Sequence, residues 1–139
     1  MNPVVHFEMG YNDRERMKKF YVGAFGWKLQ QMGAEMGNYV LAQTAETDKN
    51  GMVKTPGTIN GGFYEKAGPS SEAPSVVISV KDIKAAIEAV KKNGGTILGA
   101  MDASGKNSME PQMIPGVGLW ISIRDTENNR VSILEPLER

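Results

Sequence analysis

At 139 residues, with 40% hydrophobic and 23% charged residues, the chain fits one globular domain with a core of its own. Its 16 basic residues balance 16 acidic ones, which leaves no electrostatic ground for nucleic acid or an anionic membrane surface as a partner. The absence of cysteine excludes disulfides, thiolate nucleophiles and cysteine metal sites, and a single histidine excludes any site built on two imidazoles of one chain.

No apolar run approaches the ~20 residues of a membrane span, and the N-terminus has no basic segment leading into an apolar core. A cytoplasmic protein is expected. Nine methionines suit core filling, or an adaptable apolar lining.

Residues 4–9 alternate: Val5, Phe7 and Met9 fall on one side, His6 and Glu8 on the other, with the period of a half-buried strand. Asn12 or Asp13 can cap a following helix, Asn12 standing at capping-box spacing from Glu15. Met17, Phe20, Tyr21 and Ala24 share one helical face and are expected to pack on a sheet, with Gly26 as a left-handed stop. Strands are expected at 27–31, 39–44 and 58–65, with a turn at 33–37 and an exposed loop at 46–56. Gly61-Gly62 inside the third of these reads as a bulge, or as a surface cleared for a ligand.

Residues 67–73 are polar, rich in Gly, Pro and Ser, and read as a linker. The plan then restarts. A strand at 75–80 leads to Asp82, which caps a helix with Ile83, Ala86, Ile87 and Val90 on one face. Asn93-Gly94-Gly95 ends that helix, and a strand at 96–100 follows. Residues 101–116 carry two prolines and read as a loop with at most a short strand, of a length often found in lids. Strands at 117–123 and 130–135 complete the chain.

Matching Gly26 to Gly95 sets an offset of 69 residues, which also places Asp13 on Asp82 and Asn60 on Asn129. Each half is therefore a strand, a helix and three strands. The expected fold class is α+β, two paired βαβββ modules in one domain, module one at 1–66 and module two at 74–139.

This plan, with FYVGAFGWK after the first helix, VKDIKAAIEAVKKNGG in the second half and RDTENNRVSILEP at the end, resembles the vicinal oxygen chelate superfamily. That group includes glyoxalase I, bleomycin resistance proteins, extradiol dioxygenases and fosfomycin resistance enzymes. The Pro115-Gly116 pair is similar to its glyoxalase-related branch. The resemblance implies a cupped, eight-stranded mixed sheet around a cavity, with metal ligands on the first and last strands of each half. Carried over at the offset of 69, those positions are His6, Phe63, Ser75 and Ser132.

Metal-binding members have His or Glu at these positions, and here only His6 is of that kind. A stable site needs about three protein ligands, and serine hydroxyls are poor ones. No cofactor is therefore expected. The alternative is a divalent metal on His6, Glu8 and Glu65, since Glu8 and Glu65 stand two residues from ligand positions and are expected to share their face. Glu135, three residues from Ser132, should point away.

Alternation puts Trp120 and Ser122 on the cavity side and Leu119, Ile121 and Ile123 against a helix. The expected ligand lining is His6, Phe63, Ser75, Trp120, Ser122 and Ser132, whose rings would suit a flat or apolar molecule. His6, with Glu8 beside it, is the candidate general acid or base. Two functions follow from the resemblance: binding a small organic molecule without metal, or a metal-dependent lyase or isomerase reaction like that of lactoylglutathione lyase. A homodimer is compatible with either. Neither a Gly-rich phosphate loop nor a serine nucleophile elbow is present.

Overall fold

The computed structural model describes residues 1–67 and 73–138, so the linker expected at 67–73 falls almost wholly outside them. The chain divides into two compact units, His6–Pro74 and Ser75–Arg139, the latter joined by Met1–Val5. Their bounds differ from those expected for the modules, since Met1–Val5 group with the second half and the first unit extends to Pro74. The α+β class is as expected, but the described residues form ten strands where eight were expected.

Module one holds β1 (Val4–Tyr11), α1 (Arg14–Phe25), β2 (Lys28–Gln31), β3 (Val40–Gln43) and β4 (Asn60–Glu65). Its strands lie in the order β2-β3-β4-β1, with β1 parallel to β4 and the other pairs antiparallel. The β1–β4 ladder is unbroken from His6↔Asn60 to Tyr11↔Glu65, so Gly61-Gly62 is not a bulge. The pair instead clears space for the chain's own rings: a Cβ on Gly61 would run into Phe7, and one on Gly62 into Tyr39.

The core of module one is aromatic. Phe63 is 1% exposed, and Phe7, Met9, Met17, Tyr21 and Trp27 pack around the cluster it anchors. Tyr21 stacks on Trp27 at 4.6 Å between centroids and lies 5.0 Å from Phe63. Asp13 caps α1, its Oδ1 accepting from the Arg16 N–H at 2.9 Å, and Gly26 ends it at φ 68°. The Asn12 capping box does not form; Glu15 lies instead 3.6 Å from Arg14 and 3.7 Å from Lys18.

Phe20 and Ala24 depart from the expected packed face, both being exposed, Phe20 by 57%. Only Met17 and Tyr21 of that face pack against the module's core cluster. Phe20 packs edge-on against Tyr21 and Phe25, at 5.0 and 6.0 Å.

Module two holds β5 (Ser75–Ser79), α2 (Ile83–Lys92), β6 (Thr96–Met101), β7 (Asn107–Ser108), β8 (Gln112–Ile114), β9 (Gly118–Arg124) and β10 (Arg130–Pro136). The order is β5-β10-β9-β6-β7, with β8 also paired to β9 and β5 parallel to β10. The two additional strands, β7 and β8, lie in the segment read as a loop, where they pair with the ends of β6 and β9. The core is aliphatic: Ile83, Ile87, Ile97, Ile121, Ile123 and Ile133 interlock with Val80 and Ala100.

Two carboxylates hold the N-terminus of α2. Asp82 Oδ1 accepts from the Ala85 N–H at 2.9 Å, and Glu135 Oε2 accepts from the Ile83 N–H at 2.7 Å. Glu135 thus lies on the helix side, as its spacing from Ser132 requires. Among the described residues no helix is long and apolar enough to cross a membrane.

Candidate functional site

Residues paired across a ladder share a face, so the registers sort module one into two sides. Phe7, Met9 and Tyr11 of β1, Val40 and Ala42 of β3 and Phe63 of β4 belong to the cluster that packs on α1. The opposite, open face carries His6 and Glu8 of β1, Asn60, Gly62 and Tyr64 of β4, Leu41 and Gln43 of β3, and Lys28 and Gln30 of β2.

This sorting corrects two of the expected site residues. Phe63 sits in the ring cluster on the helix side, and Glu65, paired with Tyr11, shares that side. The reason is one residue of register. Glu8 pairs with Gly62, while Val77, its counterpart at the offset of 69, pairs with Ser132. Ser132 therefore matches Gly62, an offset of 70, and Phe63 matches the buried Ile133. A slip of one residue moves a side chain to the other face of a sheet. Glu65 is further engaged by Asn38, whose Nδ2 donates to its Oε2 at 3.1 Å.

At the position now given to Gly62, the missing side chain is replaced by that of Tyr39. Its ring lies over Gly62, and its hydroxyl stands 2.9 Å from His6 Nε2. Tyr39 enters from the residue before β3, after the single 3-10 turn Ala34–Met36. Sequence reasoning did not single it out; the signal was the pair of glycines on β4, which marks a close approach.

Burial lowers the His6 pKa below its ordinary value near 6.5, so the ring is neutral at pH 7. Burial first, and then the Glu8 charge, raises the Tyr39 pKa well above the usual phenol range. A neutral imidazole thus meets a hydroxyl that keeps its proton, with a buried carboxylate nearby; Glu8 is 8% exposed. The His6 Nδ1 has no protein partner among the described residues. Whichever tautomer holds, one ring nitrogen is fixed by Tyr39 and the other is free to donate or accept.

The open face of module one forms a cleft of about 370 Å³, lined by His6, Lys28, Gln30, Leu41, Gln43 and Asn60 among others. Asn60 Oδ1 accepts from the Thr44 and Ala45 N–H groups at 2.8 and 2.9 Å, which pins the chain leaving β3 to the cleft wall. A larger hollow, about 710 Å³, lies beside α1 and includes Met9, Met17, Phe20, Tyr21 and Phe63 in its wall. It does not reach His6, which the cleft does, so the cleft is the stronger candidate.

In module two, Trp120 and Ser122 pair with Leu134 and Ser132 and alternate along β9 with Ile121 and Ile123 of the core, against which Trp120 also packs. Ser122 Oγ accepts from Arg130 Nε at 3.1 Å. The Ser75 and Ser132 hydroxyls are buried, and neither has a protein hydrogen-bond partner among the described residues. Leaving a buried hydroxyl unsatisfied costs about 1–3 kcal/mol, a penalty each serine carries unless a water or ligand atom meets it.

The donor chemistry does not suit a divalent ion. His6 is accompanied on its strand face by Glu8, Gly62 offers no donor, and the Tyr39 hydroxyl keeps its proton. The corresponding positions of module two are the hydroxyls of Ser75 and Ser132. Among the described residues no three His, Asp or Glu side chains come together as a metal-holding group.

The family model described as Glyoxalase/Bleomycin resistance protein/Dioxygenase superfamily matches residues 4–133. A glyoxylase-like domain-containing protein of Didymella fabae is 35% identical over 130 residues, covering 91% of this chain and 88% of the relative. Among solved structures, a hypothetical protein of Bacillus halodurans superposes with a TM-score of 0.66 at 16% identity, covering 99% of this chain and 96% of the other. Methylmalonyl-CoA epimerase of Mycobacterium tuberculosis does so with a TM-score of 0.63 at 13% identity, covering 97% and 88%. At those identities the structural likeness speaks for the fold alone.

Proposed function

Because the chain belongs to the glyoxalase/bleomycin resistance protein/dioxygenase superfamily, and its donors do not suit a divalent ion, we propose that it binds a small organic molecule without metal. The seat of binding is the open face of module one. The observation that carries this reading is the His6–Tyr39 pair over Gly62, because it fills a position where metal-binding relatives would need a ligand.

Tyr39 holds the imidazole in one orientation, and burial keeps it uncharged, so His6 stands in the cleft wall as a fixed, neutral ring. The lyase or isomerase reading, which requires a divalent ion to polarise substrate oxygens, finds no matching donor set among the described residues. The test is a two-dimensional NMR screen of the full chain against small carboxylates, polyols and aromatic amides in the presence of a chelator. Binding should shift the His6 ring and the Asn60 and Gly62 amides, and His6→Ala should abolish the response. Shifts that appear only after zinc or manganese is added would overturn the proposal.

A further inference from the structure

We infer that the ligand of this cleft is a small polar organic anion, a hydroxy or oxo carboxylate, whose charged group is set against Lys28. The inference rests on the binding role just proposed and adds the chemical class of the ligand. Lys28 lies on the open face of β2, an edge strand, and lines the cleft that His6 also lines. It has no ion-pair partner among the described residues, whereas Lys54 is 3.4 Å from Glu46. Lys28 is also the sole Asp, Glu, Lys or Arg in the described lining, while Glu8, on the same sheet face, is buried and outside that lining.

Besides Lys28 and His6, the polar members of the lining are amides and a hydroxyl, Gln30, Gln43, Asn60 and Thr47, set among Leu29, Leu41, Ala42 and Gly61. Carboxamides both donate and accept, which matches hydroxyl and carbonyl groups along a short chain. With its Oδ1 committed to Thr44 and Ala45, Asn60 has an amino group without an acceptor among the described residues. The rings that would stack on a flat ligand, Phe7, Trp27 and Phe63, are on the helix side, and His6 is the sole ring in the described lining. At about 370 Å³ the space is at the small end for a ligand pocket.

The experiment is an NMR titration of the full chain with three probes: gluconate, the neutral polyol sorbitol, and the apolar anion benzoate. Gluconate should bind saturably, with shifts at Lys28, Gln30, Gln43 and His6, and at least tenfold more tightly than either other probe. Lys28→Met should weaken gluconate about tenfold and leave sorbitol unchanged, while Lys28→Arg retains most of the affinity. Equal binding of sorbitol and gluconate at His6 would overturn the anion assignment and leave metal-free binding standing. Preference for benzoate, or no response of the cleft to any probe, would also overturn it. Loss of gluconate binding on chelation would instead remove the metal-free reading.

Discussion

The helix side of module one is a stack of rings, Phe7, Tyr21, Trp27 and Phe63, whereas that of module two is a layer of isoleucines. Rings need clearance, and module one provides it with Gly61 under Phe7 and Gly62 under Tyr39. Branched aliphatics interlock without glycine, and in module two Val131 and Ser132 hold the matching places on β10. The open faces differ in step. Where module two has a buried serine hydroxyl without a protein partner, module one has a glycine roofed by Tyr39, whose hydroxyl holds His6. Two halves with one plan thus separate scaffold from recognition: module two packs as a plain core, and module one spends its glycines on a fixed polar pair.

The largest effect expected from breaking this division comes from the cores. Phe63→Ala and Ile121→Ala should each destabilise the chain by about 2–5 kcal/mol in urea unfolding. Phe63→Ala should leave gluconate affinity unchanged once the folded fraction is accounted for. A selective loss of affinity would return Phe63 to the ligand-binding side.

Gly62→Val should rank next, at about 1–3 kcal/mol, because the new side chain must displace the Tyr39 ring. The displaced ring releases and exposes His6, so the His6 pKa followed by NMR should rise towards its ordinary value. An unchanged His6 titration in a folded Gly62→Val variant would separate Tyr39 from His6 and break the comparison.

The pH dependence sharpens it. The folded chain holds His6 neutral with a lowered pKa, while the unfolded chain takes up a proton near pH 6.5, at about the free imidazole value. Stability should therefore be undiminished by His6 above that pH. It should fall as the pH drops through about 6.5 towards the lower, folded value. His6→Gln should flatten that part of the urea-midpoint profile, and an unaltered profile would contradict a buried neutral imidazole.

The smallest effect is expected at Ser132, whose buried hydroxyl has no protein partner among the described residues. Ser132→Ala should be neutral or stabilising by about 1 kcal/mol in urea unfolding, since it removes a desolvated polar group. A clear destabilisation would reveal a bound water or ligand at that position.

Most of the fold was legible because the period of apolar residues is a local property. The alternation of β1 and β9, the Asp13 and Asp82 caps and the Gly26 stop can each be read from a few neighbouring residues. The face of β4 was not legible in this way. It depends on how β4 registers with β1, a long-range pairing, and one residue of difference between the halves moved Phe63 and Glu65 to the helix side. Tyr39 was missed for a related reason: it precedes β3 and gains its role only when Gly62 is placed beneath it. Phe20 was misplaced because spacing alone does not tell the middle of an apolar stripe from its margin.

The most direct test is calorimetric titration of the chelator-treated native chain and of His6→Ala with zinc and with manganese. The account predicts no saturable one-to-one binding at micromolar metal in either protein. Stoichiometric, His6-dependent binding in the native chain would contradict it.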